Sequence, residues 1–331
     1  MPRVSRTGMI FAATSALCFG FSGPLAKALI GAGISPLQAT WIRLAGAAVL
    51  LMAIMAATNP RALVVRRARL GFVVAYSLVG CAAVQAFYYG TVARLTVGIA
   101  ALLEYLSPVL VLAWVRFVRR ARLPGTALAA AVLAISGLAC VVQAWQGIHL
   151  DVPGLLLGLV TAVCAAVYFL LSQDAGEGIH PLACLAWGLA GAAVVLVPLA
   201  RPWQLPWHVL AGDLSLGGRA VPATLVLSWL ILVATVAAYA TSIAALRRLT
   251  AAVGATVASL EVIASVAVAW VLLGETLRPV QLLGGGFVLS GAVLAQRTVA
   301  RRGIAESAGQ AAAAPRNAPA ADAGKARADA T

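Results

Sequence analysis

Long apolar stretches separated by short polar breaks follow one another along most of the 331-residue chain. Each stretch has about the 20 apolar residues that a helix needs to cross a bilayer. Breaks this short are typical of a compact helical bundle. The hydropathy pattern therefore predicts an all-α polytopic membrane protein with ten transmembrane helices. The predicted helices begin near Gly8, Pro36, Leu70, Thr96, Gly125, Gly154, Pro181, Pro222, Thr250 and Pro279.

The chain also contains an internal repeat. Residues 94–137 match residues 248–291 without gaps, at a constant offset of 154, and both runs begin with Arg-Leu-Thr and end with Ser-Gly. Five predicted helices per repeat is an odd number, so the second repeat must enter the membrane in the opposite sense. Inverted repeats of this kind are common in transporters. The predicted domains are a first five-helix repeat at residues 1–147, a second at residues 148–300, and a disordered cytoplasmic tail at residues 301–331.

Composition supports a membrane protein and argues against several other classes. Hydrophobic residues make up 62% of the chain and charged residues 10%, whereas a soluble domain has about 45 to 50% and 25%. The net charge of +14 comes from short arginine clusters between spans rather than from one basic face, which argues against nucleic-acid binding. Five cysteines lie in apolar runs without CxxC spacing, so neither a zinc site nor any other metal or cofactor is expected.

The basic residues also predict an orientation. Eighteen Arg and Lys residues fall on the side of the membrane where the N-terminus lies and five on the other side, with Arg43 inside a span. Positive residues favour the cytoplasmic side, so both termini are predicted to be cytoplasmic. The strong preference for Arg over Lys, together with abundant Ala, Gly and Val, indicates a bacterial source, and hence the bacterial inner membrane.

Each repeat carries one carboxylate within a predicted span, Glu104 and Glu261. A charge in hydrocarbon costs about 2.5 to 3.5 kcal/mol on insertion scales, so these residues are candidates for function. Glu104 is expected at a depth of about 12 Å and Arg43 at about 10 to 11 Å from the same face. The two could line a polar cavity, or they could form a static ion pair that holds two helices in register.

Glu261 is expected about 16 Å deep, close to the middle of the bilayer. Since no cation is predicted beside it, Glu261 is expected to be the better proton carrier of the two carboxylates. The alternative is a structural role in which a serine such as Ser259 or Ser265 satisfies the carboxylate.

Other polar side chains inside spans extend the predicted pathway for substrate and protons. Gln85 aligns with Tyr239 at the repeat offset, and Tyr88, Tyr89 and Tyr168 also fall within apolar runs. Pro108 lies four residues after Glu104 and frees a backbone carbonyl, which predicts either a gate or a simple bend.

Several of these runs resemble a known family. The fourth-span run LSPVLVLAW, the ninth-span run LEVIASVAVAWVLLGETL, the Ser-Gly pair after each and the early second-span Arg43 resemble the EamA-type branch of the drug/metabolite transporter superfamily. The resemblance covers roughly residues 8–297. It implies ten spans in two halves and the transport of amino acids, related metabolites or toxic organic compounds, mostly outward.

The resemblance also assigns individual residues. Pro108 matches the family's helix-four proline, and the Gly-Glu pair ending at Glu275 matches the pair that closes helix nine; Glu275 is interpreted as structural. This chain departs from the pattern with Arg-Ala ending at Ala121 in the first repeat and with Val262 in place of the second proline. These departures argue against identical roles for the two halves.

The sequence thus predicts a secondary transporter that exports a small metabolite such as an amino acid by alternating access. Its expected partners are a small-molecule substrate, the lipid bilayer and, as a candidate coupling ion, protons. The oligomeric state is left open. A membrane-embedded enzyme is the first alternative, but the three histidines lie in separate loops. A non-transporting scaffold or receptor is the second.

Overall fold

Helices make up most of the protein in the computed structural model. In the described part of the chain, nine helices are long and apolar enough to cross a membrane. This confirms the prediction of a polytopic helical membrane protein. The described residues are 6–120, 124–143, 151–175, 179–249 and 259–313, without the side chains of 172–175 and 300–313.

The spans keep the numbers of the ten predicted stretches. Residues 250–258, where the predicted ninth span begins, lie outside the described part, so span 9 is described as the 14-residue helix Leu260–Leu273. Spans 1 to 8 are Arg6–Gly31, Pro36–Thr58, Arg67–Val92, Val97–Phe117, Gly125–Val142, Val152–Leu171, Pro181–Ala200 and Ala223–Leu246, and span 10 is Pro279–Val299. Shorter elements are the 3₁₀ turns Pro60–Leu63 and Pro202–Gln204 and the helix Trp207–Leu210.

Span 1 consists of two helices, Arg6–Gly20 and Ser22–Gly31. Pro24 lies in the first turn of the second helix and has no N–H to bond back to the carbonyl of Gly20. The Ser265 hydroxyl of span 9 donates to that carbonyl at 3.2 Å. A side chain from the other half of the chain therefore satisfies the broken backbone.

Span 4 is broken in the same manner into Val97–Glu104 and Ser107–Phe117. Pro108 lies in the first turn after the break, and the carbonyl four residues before it belongs to Glu104. The break therefore places a backbone carbonyl and a carboxylate of the same residue at one point inside the bundle.

Spans 3 and 8 each contain a π-helical segment, Tyr76–Ala83 and Leu232–Ala237. The two segments end at positions related by the repeat offset of 154. In span 8 the wider turn lets the Thr235 hydroxyl donate to the carbonyl of Leu230, five residues earlier, at 2.8 Å. Segments of this kind recur at functional sites because they redirect side chains.

Close helix contacts recur at equivalent positions. A Cβ placed on Gly137 would lie 2.6 Å from the carbonyl oxygen of Gly284, and one placed on Gly291 would lie 2.7 Å from that of Ala130. At the repeat offset of 154, Gly137 corresponds to Gly291 and Ala130 corresponds to Gly284, so the two contacts are equivalent. Spans 5 and 10 therefore pack through small residues in a pseudo-symmetric arrangement.

Other pairs of spans also make equivalent contacts in the two halves, at offsets of 146 for spans 1 and 6 and 145 for spans 2 and 7. Gly8 packs against the side chain of Arg248, and Gly154 packs against that of Arg94. A further pair of contacts joins Gly46 to Ile231 and Gly191 to Ser77.

A β-hairpin interrupts the otherwise helical fold in the long loop before span 8. Strands Asp213–Leu216 and Arg219–Pro222 pair antiparallel. Gly217 and Gly218 connect them with φ of +57° and +75°, the left-handed conformations that a tight two-residue hairpin turn requires. The all-α prediction therefore missed one local element. The Gly217 N–H donates to the carbonyl of Leu272 in span 9 at 2.8 Å.

The hairpin closes one end of the bundle. Leu214 and Leu216 are buried in an apolar cluster with Leu25 and Leu29 of span 1. We call this end of the molecule the hairpin end. The opposite end, where Arg69, Arg116 and Arg248 lie close to the ends of spans 3, 4 and 8, is the arginine-rich end.

The last helix runs from Pro279 to Ala313. It thus continues into the segment that was predicted to be a disordered tail from residue 301. The alanine-rich sequence accounts for this, since alanine has the highest helix propensity. Residues 314–331 lie outside the described part.

Candidate functional site

Arg43 lies near the start of span 2 with 1% of its surface exposed. The span begins with Pro36 and with a capping box, in which Ser35 and Gln38 each accept a hydrogen bond from the other's backbone N–H. This cap fixes the first turns of the helix and therefore the position from which the Arg43 side chain extends.

Three neutral oxygens accept hydrogen bonds from the Arg43 guanidinium. Its Nε donates to Thr235 Oγ1 at 2.7 Å. Its Nη1 donates to Gln85 Oε1 at 2.9 Å and to the Tyr89 hydroxyl at 2.8 Å. Hydrogen bonds to a charged group are the stronger kind. They offset part of the cost of burying the charge.

Tyr89 connects this cluster to span 1. Its side chain is fully buried, and the Arg43 Cζ lies 5.4 Å from the centre of its ring. Its hydroxyl also shares a hydrogen bond of 3.2 Å with Ser22 Oγ, directly after the break in span 1. The Arg43 cluster, which is Arg43, Gln85, Tyr89, Thr235 and Ser22, therefore joins spans 1, 2, 3 and 8.

Glu104 is not paired with Arg43. The ion pairs among the described residues join Lys27 to Glu275 and Arg94 to Asp151. The static pair considered from the sequence is therefore absent, because Arg43 directs its donors to neutral oxygens on spans 3 and 8. The charges still interact through space, since Arg43 acts electrostatically on Glu104.

Glu104 and Glu261 both lie next to interruptions in their helices. Glu104 is the last residue of Val97–Glu104, and Glu261 is in the first turn of Leu260–Leu273. Both carboxylates are half-buried and interact electrostatically with each other. No described residue forms a hydrogen bond or ion pair with either one. Within the described part of the chain, both carboxylates therefore lack a direct partner.

The predicted tyrosines lie around these charges. Tyr88 is buried, and it interacts electrostatically with both carboxylates and with Arg43. Tyr239 is half-buried, and its ring makes an edge contact with that of Phe19 at 4.8 Å between centroids. Tyr168 packs against Tyr76 of span 3 at 5.5 Å. The structure thus brings Tyr88 and Tyr239 close to the charges and places Tyr168 in a neighbouring aromatic pair.

Two members of the Arg43 cluster were missed from sequence. Thr235 and Ser22 are short hydroxyl residues in apolar runs, where such a side chain usually bonds its own helix. One available signal was that Thr235 lies one helical turn before Tyr239 and so shares its face. The break that exposes Ser22 follows from Pro24, two residues later.

The hairpin end holds a second polar group outside the spans. Arg94 Nε donates to both carboxylate oxygens of Asp151, at 3.1 and 3.0 Å, and the Gly154 N–H donates to Asp151 Oδ1 at 3.1 Å. The Gly154 N–H first, and then Arg94, hold the pKa of Asp151 below its usual value. Asp151 thus caps span 6 and ties it to the start of span 4.

Comparison with known proteins identifies the family. The sequence profile of the EamA-like transporter family matches residues 6–143 and again residues 152–296. The chain belongs to the EamA-like transporter family. This confirms the resemblance drawn from the sequence motifs.

Curated relatives of this EamA-like protein are amino-acid exporters. The threonine/homoserine exporter RhtA of Escherichia coli K12 is 30% identical over 215 residues, which cover 64% of this chain and 66% of that exporter. RhtA of Salmonella typhimurium LT2 is 29% identical over 215 residues, covering 65% and 67%. A solved crystal structure matches with a TM-score of 0.58 and 20% identity, over 90% of this chain and 99% of the other, and supports the fold.

Proposed function

We propose that this EamA-like protein is a secondary transporter that exports a small metabolite, such as an amino acid, by alternating access. The observation that carries the proposal is the presence inside the bundle of two carboxylates, Glu104 and Glu261, that form no ion pair with any described residue. The relatives of this chain are threonine/homoserine exporters. Intramembrane ionisable groups that face the bundle interior are typical of substrate and ion pathways.

The proposed architecture is ten transmembrane helices in two inverted five-helix repeats. The exchanged contacts between spans 5 and 10 support it, as do the two matches to one family profile. In such a fold, one repeat rocks against the other around a central site.

The arginine-rich end is proposed to face the cytoplasm of a bacterial cell, with both termini on that side. The basis is the excess of basic residues at this end. The hairpin end is then the outer end.

The proposed pathway passes Glu261 and Glu104, with Arg43, Gln85, Tyr88, Tyr168 and Tyr239 around it. Protons are the proposed coupling ion, and Glu261 is the proposed carrier because its place in the sequence puts it close to the middle of the bilayer. The break at Pro108 is the proposed flexible point of span 4.

Reconstitution tests the proposal. Purified protein in lipid vesicles loaded with labelled threonine should release the label faster than protein-free vesicles, and unlabelled homoserine should compete. Vesicles that carry the Glu104→Gln/Glu261→Gln double variant are the matched control, because amide replacement keeps side-chain size. If neither amino acids nor other small metabolites move, the protein is a scaffold or receptor and the proposal is wrong.

A further inference from the structure

Lys27 is one of only two lysines in the chain and lies at the hairpin end of span 1. Its Nζ lies 2.5 Å from Glu275 Oε1 and donates to the carbonyl of Leu95 at 2.6 Å. The two charged side chains keep 27% and 15% of their surface exposed. A compact ammonium with three donors suits this position, where two acceptors converge.

The carboxylate of Glu275 makes a second connection. Its other oxygen accepts a hydrogen bond of 2.8 Å from the N–H of Val97, the first residue of the helix Val97–Glu104. Free N–H groups at a helix start favour a negative charge. The Lys27–Glu275 pair therefore ties span 1 and the start of span 4 to the chain that follows span 9.

The molecule is closed around this pair. Leu25, Leu29, Val97 and Ala100 beside it are buried in one apolar cluster. The hairpin covers the cluster and bonds span 9 through Leu272, three residues before Glu275. Deeper in the bundle, Glu104 and Glu261 keep part of their surface accessible. The seal therefore lies between the two carboxylates and the hairpin end.

The other end of the molecule has no equivalent charges in the sequence. The repeat offset of 154 places Ala121 at the position of Glu275. The equivalent contacts of Gly8 and Gly154 give an offset of 146 between spans 1 and 6, which places Gln173 at the position of Lys27. Under a symmetric rocking motion, this ion pair would stabilise closure at the hairpin end without a matching pair at the arginine-rich end.

We propose that Lys27 and Glu275 form the outer gate of the transporter. The pair holds the outer end closed while the pathway is open to the arginine-rich end, and it must break to release substrate outward. This inference rests on the proposed transport function. It assigns a moving role to Glu275, which sequence comparison alone interprets as structural.

Accessibility of the buried core tests the gate without measuring transport. Ala100→Cys, in a full-length chain whose five native cysteines are replaced by serine, places a thiol one turn below Val97. In sealed cells, a membrane-impermeant maleimide added outside should label this thiol about three- to tenfold faster after Lys27→Gln or Glu275→Gln, because weakening the closed state raises the open population. The exchanged pair Lys27→Glu/Glu275→Lys should return the rate part of the way to that of the parent, because it restores the ion pair but not the hydrogen bonds to Leu95 and Val97.

Arg94→Gln is the matched control, since it breaks a more exposed ion pair at the same end. It should leave the labelling rate unchanged. Equal rates in the parent and in both single variants would overturn the gate, and so would equal acceleration by Arg94→Gln. Glu275→Gln keeps an oxygen for the Val97 N–H, so it separates loss of charge from loss of the helix cap. Because the assay needs no substrate, failure of the flux experiment would leave its result standing.

Discussion

One pair of equivalent positions has very different surroundings in the two halves of the protein. Arg43 in span 2 is surrounded by polar side chains, and Thr235 accepts its Nε–H. The equivalent contacts of Gly46 and Gly191 give an offset of 145 between spans 2 and 7, which places Gly188 at the position of Arg43. At the offset of 154, Cys81 stands at the position of Thr235. There the Tyr76 ring and the Cys81 sulfur occupy the space of a side chain. The repeat therefore preserves helix packing but places a buried cation at only one of the two equivalent positions.

The largest effect on stability is expected from replacing the guanidinium group of Arg43 with another positively charged group. Arg43→Lys retains the positive charge but cannot reach three acceptors on two helices, so buried oxygens lose their donor. We expect a loss of about 2 to 4 kcal/mol in the free energy of unfolding, measured in mixed micelles. Exposed Arg116→Lys should change it by less than about 0.5 kcal/mol. Equal stability of the two variants would show that charge alone matters at Arg43.

Filling the equivalent position in the other half should have a smaller effect. In Gly188→Ala, the new Cβ would collide with Tyr76 and lie 3.1 Å from Cys81 Sγ. Overpacking of this kind costs about 1 to 3 kcal/mol. Gly286→Ala, where nothing lies within 4 Å, is the control, and it should not destabilise the protein. Equal free energies of unfolding for Gly188→Ala and Gly286→Ala would contradict the expected difference in packing.

The smallest structural effect is expected at Thr235. Thr235→Val removes the acceptor of the Arg43 Nε–H and should cost about 1 to 2 kcal/mol. Thr235→Ser keeps the hydroxyl and should restore most of that loss. If the serine and valine variants lost equal stability, the hydrogen bond between residue 235 and Arg43 would not account for the loss.

Hydropathy was enough to predict most of the fold, because each span must be long and apolar. Depth estimates placed Arg43 and Glu104 near one level but could not give the rotation of each helix about its axis. That rotation directs Arg43 to Thr235 and Gln85 instead of Glu104. The π-helical segment at Thr235 depends on tertiary packing and leaves no clear hydropathy signal.

The hairpin was missed for a different reason. It occupies ten residues in a loop, from Asp213 to Pro222, and its signal is the Gly217-Gly218 pair between short alternating runs. A glycine pair does not produce a long apolar stretch, so a search for membrane spans does not detect the hairpin.

Glu261 is proposed to carry the coupling proton, and proton-driven flux tests this role most directly. Labelled threonine uptake is measured in vesicles that contain purified protein, with and without a pH gradient. For the native chain we predict flux that responds to the gradient. For Glu261→Gln we predict exchange near the native rate and no response to the gradient. A native response to the gradient in Glu261→Gln would contradict the account.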